Sequence, residues 1–299
     1  MVYQKTRSVL NHQKLAPKKK LGQNFLVHRH TAQRIVDLAG VEAGDTIIEV
    51  GVGLGALTVP MAERAERVIG IEADSGIIRL HREENDLPAN VELIHNDILK
   101  ADFKELFKLC GGKIKLVANL PYSISTPFLF RLVENHHLMH KAVVMLQREV
   151  AERIIAPPAT KEYGVPSVLL ASCAVSKLLL HVKPAEFHPR PKVDSTVLEL
   201  LFEPTPKRVS DLGGFDRQLL RKIVNAGFGQ RRKTLLNSLG SSNLVPDKGV
   251  LAELIEQCGF SPSIRAEKLR LEDFVTLTNV IGRHLAGSVS TCPPDRAKD

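Results

Sequence analysis

From residue 31 onward the chain alternates between helical spacing of its apolar residues and short runs rich in Val and Ile. Strand-like runs stand at 46–50, 68–72, 91–95, 114–118 and 142–146, and helical spacing at 31–39, 56–65, 74–85, 102–109, 126–135 and 148–155. A strand followed by a helix and another parallel strand closes in one hand only, so repeated units of this kind stack into a doubly wound α/β sheet with helices on both faces. A helix is expected at 164–176 and two strands at 178–183 and 195–202, which predicts an antiparallel edge. Glu203-Pro204-Thr205-Pro206-Lys207 and then Gly213-Gly214 break the pattern. Beyond them only helical spacing occurs, at 216–227, 231–239, 248–257 and 271–285. The expected organisation is a flexible basic tail at 1–17, an α/β domain at 18–206, a small helical domain at 207–286 and a flexible tail at 287–299.

The first strand leads into Glu49-Val50-Gly51-Val52-Gly53-Leu54-Gly55. Glycines at a strand-to-helix turn let the backbone approach a ligand at the carboxyl edge of the sheet. The spacing is G-x-G-x-G, which lacks the late third glycine of a pyrophosphate-binding turn. Glu49, two residues ahead of the first glycine, suits a cationic ligand or a brace for the loop better than a pyrophosphate. Glu72 ends the second strand and is placed to accept both hydroxyls of a ribose. Asp97 follows the third strand and can accept from an adenine amino group. An adenosine with free ribose hydroxyls and no phosphate points to S-adenosylmethionine, held by Gly51, Gly53, Glu72 and Asp97. Taken singly, each signal also fits a tight turn with solvated acids.

Asn119-Leu120-Pro121-Tyr122 follows the fourth strand, beside that site. The exocyclic amino group of a base is a poor nucleophile because its lone pair is delocalised into the ring. Two oxygens accepting its hydrogens, one from the Asn119 side chain and one from the Leu120 peptide, push the nitrogen toward tetrahedral geometry. Pro121 fixes the turn, and Tyr122 offers a ring for a flipped-out base. Phe187, opening the stiff loop Phe187-His188-Pro189-Arg190-Pro191-Lys192-Val193-Asp194-Ser195, is a candidate for the other face of the base. Catalysis of this kind is positioning and electrostatics, without a general base near neutral pKa.

Charge adds a partner class. The net charge is +8, and eight basic residues from Lys5 to Arg34 precede the first acid, Asp37. A second basic block spans 207–240 and includes Arg231, Arg232 and Lys233. Clustered Lys and Arg on a neutral body suit a polyanion, since they release counterions from a phosphate backbone. The leading segment is Lys-rich rather than Arg-rich, which argues against a transit peptide. Four cysteines without a C-x-x-C pair exclude a disulfide framework and a cysteine zinc site, and fit a reducing cytosol. No run approaches about 18 apolar residues, so no membrane span is expected.

Four segments together resemble the ribosomal RNA small-subunit adenine dimethyltransferase family, which includes the bacterial enzyme whose loss gives kasugamycin resistance. They are Lys19-Lys20-Leu21-Gly22-Gln23-Asn24-Phe25-Leu26, residues 49–58, Asn119-Leu120-Pro121-Tyr122-Ser123-Ile124-Ser125-Thr126-Pro127, and residues 187–195. The resemblance runs from about 18 to 285 and implies a class I methyltransferase domain followed by a small all-helical domain. It implies that Gln23, Asn24 and Leu26 approach the methyl donor from the N-terminal segment. Gly51 would contact the donor, Glu72 its ribose and Asp97 its adenine. Asn119 would bind the target amino group near the donor, and Tyr122 and Phe187 would sandwich the target adenine. The family usually has Pro where this chain has Val52, a change expected to loosen the turn without removing a ligand-binding side chain.

Related enzymes methylate large-subunit rRNA and confer macrolide resistance, and mitochondrial relatives act as transcription factors. The segment Ala226 to Asn237, with Arg231, Arg232 and Lys233 gripping phosphate, resembles the small-subunit branch. The implied substrate is therefore the terminal hairpin of small-subunit rRNA in a 30S precursor, modified in the cytoplasm by a monomer that needs no metal. An assembly factor with incidental catalysis is the rival reading.

Overall fold

A computed structural model of the protein describes residues 22–203 and 206–289. The tail at 1–17 and the first three residues of the Lys19–Leu26 motif lie outside them. Two compact units emerge. One holds the chain up to Ile155 and resumes at Cys173; the other holds Ala156–Ser172 together with the C-terminal helices.

The first unit is built on a seven-stranded sheet. Its strands are β2 (Thr46–Val50), β3 (Arg67–Glu72), β4 (Val91–His95), β5 (Ile114–Asn119), β6 (Met139–Gln147), β7 (Ala174–Val182) and β9 (Ser195–Phe202). A short β1 (Phe25–Leu26) precedes them, and β8 (Phe187–His188) lies between β7 and β9. The spatial order is β4-β3-β2-β5-β6-β9-β7. β2 to β6 pair in parallel, and β9 inserts antiparallel between β6 and β7. The class I methyltransferase-like architecture is thus present, with the antiparallel strand one place inside the edge. The central strands read as continuous apolar runs because both faces are covered: Ile47, Ile48, Val68, Ile69, Leu116, Val117, Val143 and Val144 are all buried.

Val52, the departure from the family pattern, is buried at 3% exposure. A Cβ added to Gly70, opposite Glu49 in β3, would lie 2.5 Å from the Val52 γ-methyl group. The larger side chain in the turn is thus accommodated by the absence of one on the neighbouring strand.

Several boundaries differ from expectation. The strand expected from 178 begins at Ala174, and the helix before it is only Val165–Ala171. The last helix runs Leu271–Val289, past the expected limit at 286. The α/β domain expected as continuous over 18–206 is interrupted, because 156–172 packs with the helical unit. Tyr163 fixes this excursion: its ring meets Phe228 edge-on at 5.7 Å and its hydroxyl donates to the Leu269 carbonyl at 2.8 Å. Ala159 N–H donates to the Glu267 carbonyl at 2.7 Å. No helix among the described residues is long and apolar enough to cross a membrane.

Candidate active site

The carboxyl ends of β2, β3 and β5 surround a cavity of about 280 Å³. Gln23, Asn24, Leu26, Gly51, Gly53, Glu72, Asp97, Asn119, Leu120, Pro121 and Tyr122 all line it. The convergence follows from topology, since parallel strands deliver each successive turn to the same edge of the sheet.

The turn itself depends on glycine. Gly51, Gly53 and Gly55 have φ of 78°, 54° and 76°, a region that L side chains rarely adopt. A Cβ on Gly53 would also stand 3.1 Å from the Phe25 ring. Glu72 holds the turn from the next strand: one carboxylate oxygen accepts the Gly53 N–H at 3.1 Å, the other the Asp74 N–H at 2.8 Å. Burial raises its pKa, with the Asp74 carboxylate adding to the rise, and the N–H groups of Asp74, Gly53 and Ala73 hold it back. With about four acceptor sites, the carboxylate can still accept from a ribose hydroxyl. Asp97 Oδ1 accepts the Leu99 N–H at 3.0 Å, and Oδ2 is available to an amino donor.

Glu49 is the most unusual group in the cavity wall. It is 1% exposed, and its Oε2 has no hydrogen-bond partner. Burial pushes its pKa up to about 8; the nearby Thr58 hydroxyl pulls it down and the Glu72 carboxylate adds to the rise. Thr58 Oγ1 nevertheless lacks hydrogen-bonding geometry to any partner, so it relieves the carboxylate only in part. A buried carboxylate without a donor is costly, and a cation beside it removes the cost. An orphaned acid, a glycine cradle and two further acids for ribose and base fit S-adenosylmethionine, which carries an ammonium and a sulfonium. Sequence reading assigned Glu49 no definite ligand, because its burial is a product of sheet packing.

The N-terminal motif reaches this site through a ladder that sequence periodicity did not reveal. β1 pairs antiparallel with β8, matching Phe25 to His188 and Leu26 to Phe187. Val27 N–H donates to the Glu186 carbonyl at 2.9 Å, extending the register. Two motifs about 160 residues apart are therefore one backbone unit. Gln23 Nε2 donates to Asp74 Oδ2 at 3.1 Å, and Asp74 in turn caps the helix Ser75–Glu84. Gln23 thus braces the segment against β3.

Asn119 Nδ2 donates to the Asn24 carbonyl at 3.1 Å. Only the NH₂ end can donate to a carbonyl, so this bond fixes the amide's orientation and leaves Oδ1 as an acceptor. Tyr122 is half-buried, and its hydroxyl exchanges a hydrogen bond of 2.9 Å with Ser195 Oγ on β9. Burial raises its pKa and that bond lowers it. Phe187 is placed differently from expectation. Its ring is 3% exposed within the apolar cluster containing Leu26, Val182 and Val197, and it does not line the cavity. Its register opposite Leu26 turns it into the core, a consequence of the β1–β8 ladder.

In the helical unit, Arg231, Arg232 and Lys233 lie in the turn before helix Leu235–Gly240, which Thr234 caps. All three are exposed, and Arg231 Nη2 donates to the carbonyls of Lys161 at 2.6 Å and Tyr163 at 2.8 Å. No group of three or more His, Cys, Asp or Glu placed to hold a metal ion occurs among the described residues.

Comparison with known proteins agrees with this geometry. A curated relative from Desulfotalea psychrophila, named ribosomal RNA small subunit methyltransferase A, is 50% identical over 95% of this chain and 97% of its own length. One of the same name from Geobacter metallireducens is 41% identical over 88% and 95%. The crystal structure of a Plasmodium falciparum dimethyladenosine transferase superposes with TM-score 0.68 at 25% identity, covering 86% of this chain and 96% of that one. A 23S rRNA methyltransferase, ErmE, shares the fold with TM-score 0.62 at 23% identity, over 87% and 100%. The model describing ribosomal RNA adenine dimethylases matches residues 14–282, nearly the whole chain, so the protein belongs to the ribosomal RNA adenine dimethylase family.

Proposed function

We propose that the protein transfers methyl groups from S-adenosylmethionine to the 6-amino groups of two adjacent adenines in the 3′-terminal hairpin of small-subunit (16S) rRNA. Each adenine receives two methyls, and the substrate is a 30S subunit or its precursor. The observation that carries this reading is the Asn119 amide, anchored through Nδ2 to the Asn24 carbonyl in a cavity that the glycine turn and Tyr122 also line. Relatives covering almost the whole chain are named for the small subunit, which favours that branch over the large-subunit one.

S-adenosylmethionine supplies an electrophilic methyl group on a positively charged sulfur. Glu72 and Asp97 hold the ribose and adenine of the donor, the 51–55 turn lies against it, and Glu49 balances its positive charge. For the first methyl, Asn119 Oδ1 and the Leu120 carbonyl would accept the two amino hydrogens of the target and draw its lone pair out of conjugation; the new N–C bond replaces the S–C bond, and one amino proton leaves afterwards, so a single N–H remains for the second methyl. Tyr122 stacks on the base, and its ring is oriented by Ser195. Phe187 covers the other face once its ring turns out of the core cluster. The protein acts as a monomer in the cytoplasm.

Purified protein, labelled S-adenosylmethionine and unmethylated small or large subunits test the proposal. Dimethyladenosine in small-subunit RNA is the expected product; label confined to large subunits would overturn the assignment. Phosphate contacts are assigned to Arg232 and Lys233. Each alanine variant is expected to reduce the slope of log affinity against log salt by about one, without altering adenine selectivity. An unchanged slope in both would remove the turn from the RNA interface.

A further inference from the structure

His81 is not part of any family motif noted above, yet it is almost fully buried beneath the donor turn. Its Nε2 lies 2.8 Å from the Gly53 carbonyl and its Nδ1 2.7 Å from Asp86 Oδ1. The ring is thus held at both of its nitrogens, in the last turn of helix Ser75–Glu84.

Gly53 is thereby held on three sides. Glu72 accepts its N–H, His81 donates to its carbonyl, and the Phe25 ring closes over its Cα. With φ at 54° and no side chain, Gly53 would otherwise be free to turn. Its N–H belongs to the Val52–Gly53 peptide and its carbonyl to the Gly53–Leu54 peptide, so the bonds to Glu72 and His81 pin the planes on both sides of its Cα.

We propose that His81 and Asp86 form a positioning pair for the methyl donor: His81, held by Asp86, pins the Gly53 carbonyl and with it the turn whose N–H Glu72 accepts. The inference rests on the reading of the cavity as the donor site. His81 touches neither donor nor RNA, and its effect is confined to donor affinity. Asp86 lies at the surface end of the pair, its side chain 48% exposed, so it can be altered without opening the core.

The test combines backbone amide NMR of the 51–55 turn with donor-binding calorimetry on the full chain. The Gly53 and Leu54 amide signals are expected to shift in both Asp86→Asn and His81→Leu. Asp86→Asn is expected to weaken S-adenosylmethionine binding severalfold and His81→Leu about tenfold, the loss of one hydrogen bond. The rate at saturating donor and the KM for RNA stay unchanged. Native turn signals, or native donor affinity, in both variants would overturn the pair. Absence of donor binding in the unaltered protein would instead overturn the cavity reading, and the pair with it.

Discussion

Asn119→Ala protein is expected to lose methyl transfer by about 10²–10³-fold while still binding small subunits with native affinity. The magnitude is that of removing one preorganised polar group aimed at the reacting centre. The side chain does two things at once: Nδ2 ties the end of β5 to the Asn24 carbonyl, and Oδ1 is left to accept from the target amino group. Asn119→Asp separates them. It keeps an acceptor but loses the donor to Asn24, so it should retain folding and lose the amide's fixed orientation. Single-turnover transfer, subunit binding and thermal unfolding measured on both variants provide the check. A rate within threefold of native in Asn119→Ala would exclude this residue from the reaction. Full assembly function without methylation would favour the rival reading, a binding factor whose catalysis is incidental.

Glu49→Gln is expected to be more stable than the native protein at pH 8 without donor, and to bind S-adenosylmethionine more weakly. The folded-state pKa lies at about 8, above the ordinary value of 4.5. Between those values the native state keeps a proton that the unfolded chain releases, so native stability falls as pH rises through the window. Below 4.5 both states are protonated and the difference vanishes. The native-minus-variant slope approaches about 1.4 kcal/mol per pH unit within the window. Donor binding runs the other way. A cation needs the carboxylate, so affinity of the native protein rises with pH toward 8, and the glutamine protein lacks that rise. At pH 8 a 10- to 100-fold weaker Kd is expected, the range for losing a hydrogen bond to a charged group. Melting curves and calorimetric titrations at pH 5, 6, 7 and 8 decide the matter. Parallel pH dependence in the two proteins would mean that Glu49 is not the titrating group.

The α/β domain was legible because its information is local. Val- and Ile-rich runs and helical spacing each occupy a few residues, and right-handed crossovers then restrict the sheet to few arrangements. The site was legible where chemistry is carried by residue type at a strand end: Gly51, Gly53, Glu72, Asp97 and Asn119 line one cavity because parallel strands bring their carboxyl ends to one edge.

What the sequence could not announce depends on contacts between distant segments. The ladder of β1 with β8 puts Phe187 in the core instead of the cavity. The return of 156–172 to the helical unit gives Arg231 two carbonyl partners. Glu49 read as suited to a cationic ligand or to bracing the loop, but its burial was not visible, and nothing in the 74–85 helix marked His81. Periodicity and motif spacing determined which elements form and in what order, because those depend on neighbours in the chain. Only the packed structure decided which polar groups lose water and which partners they then meet, and for Glu49 and His81 that loss underlies the roles proposed for them.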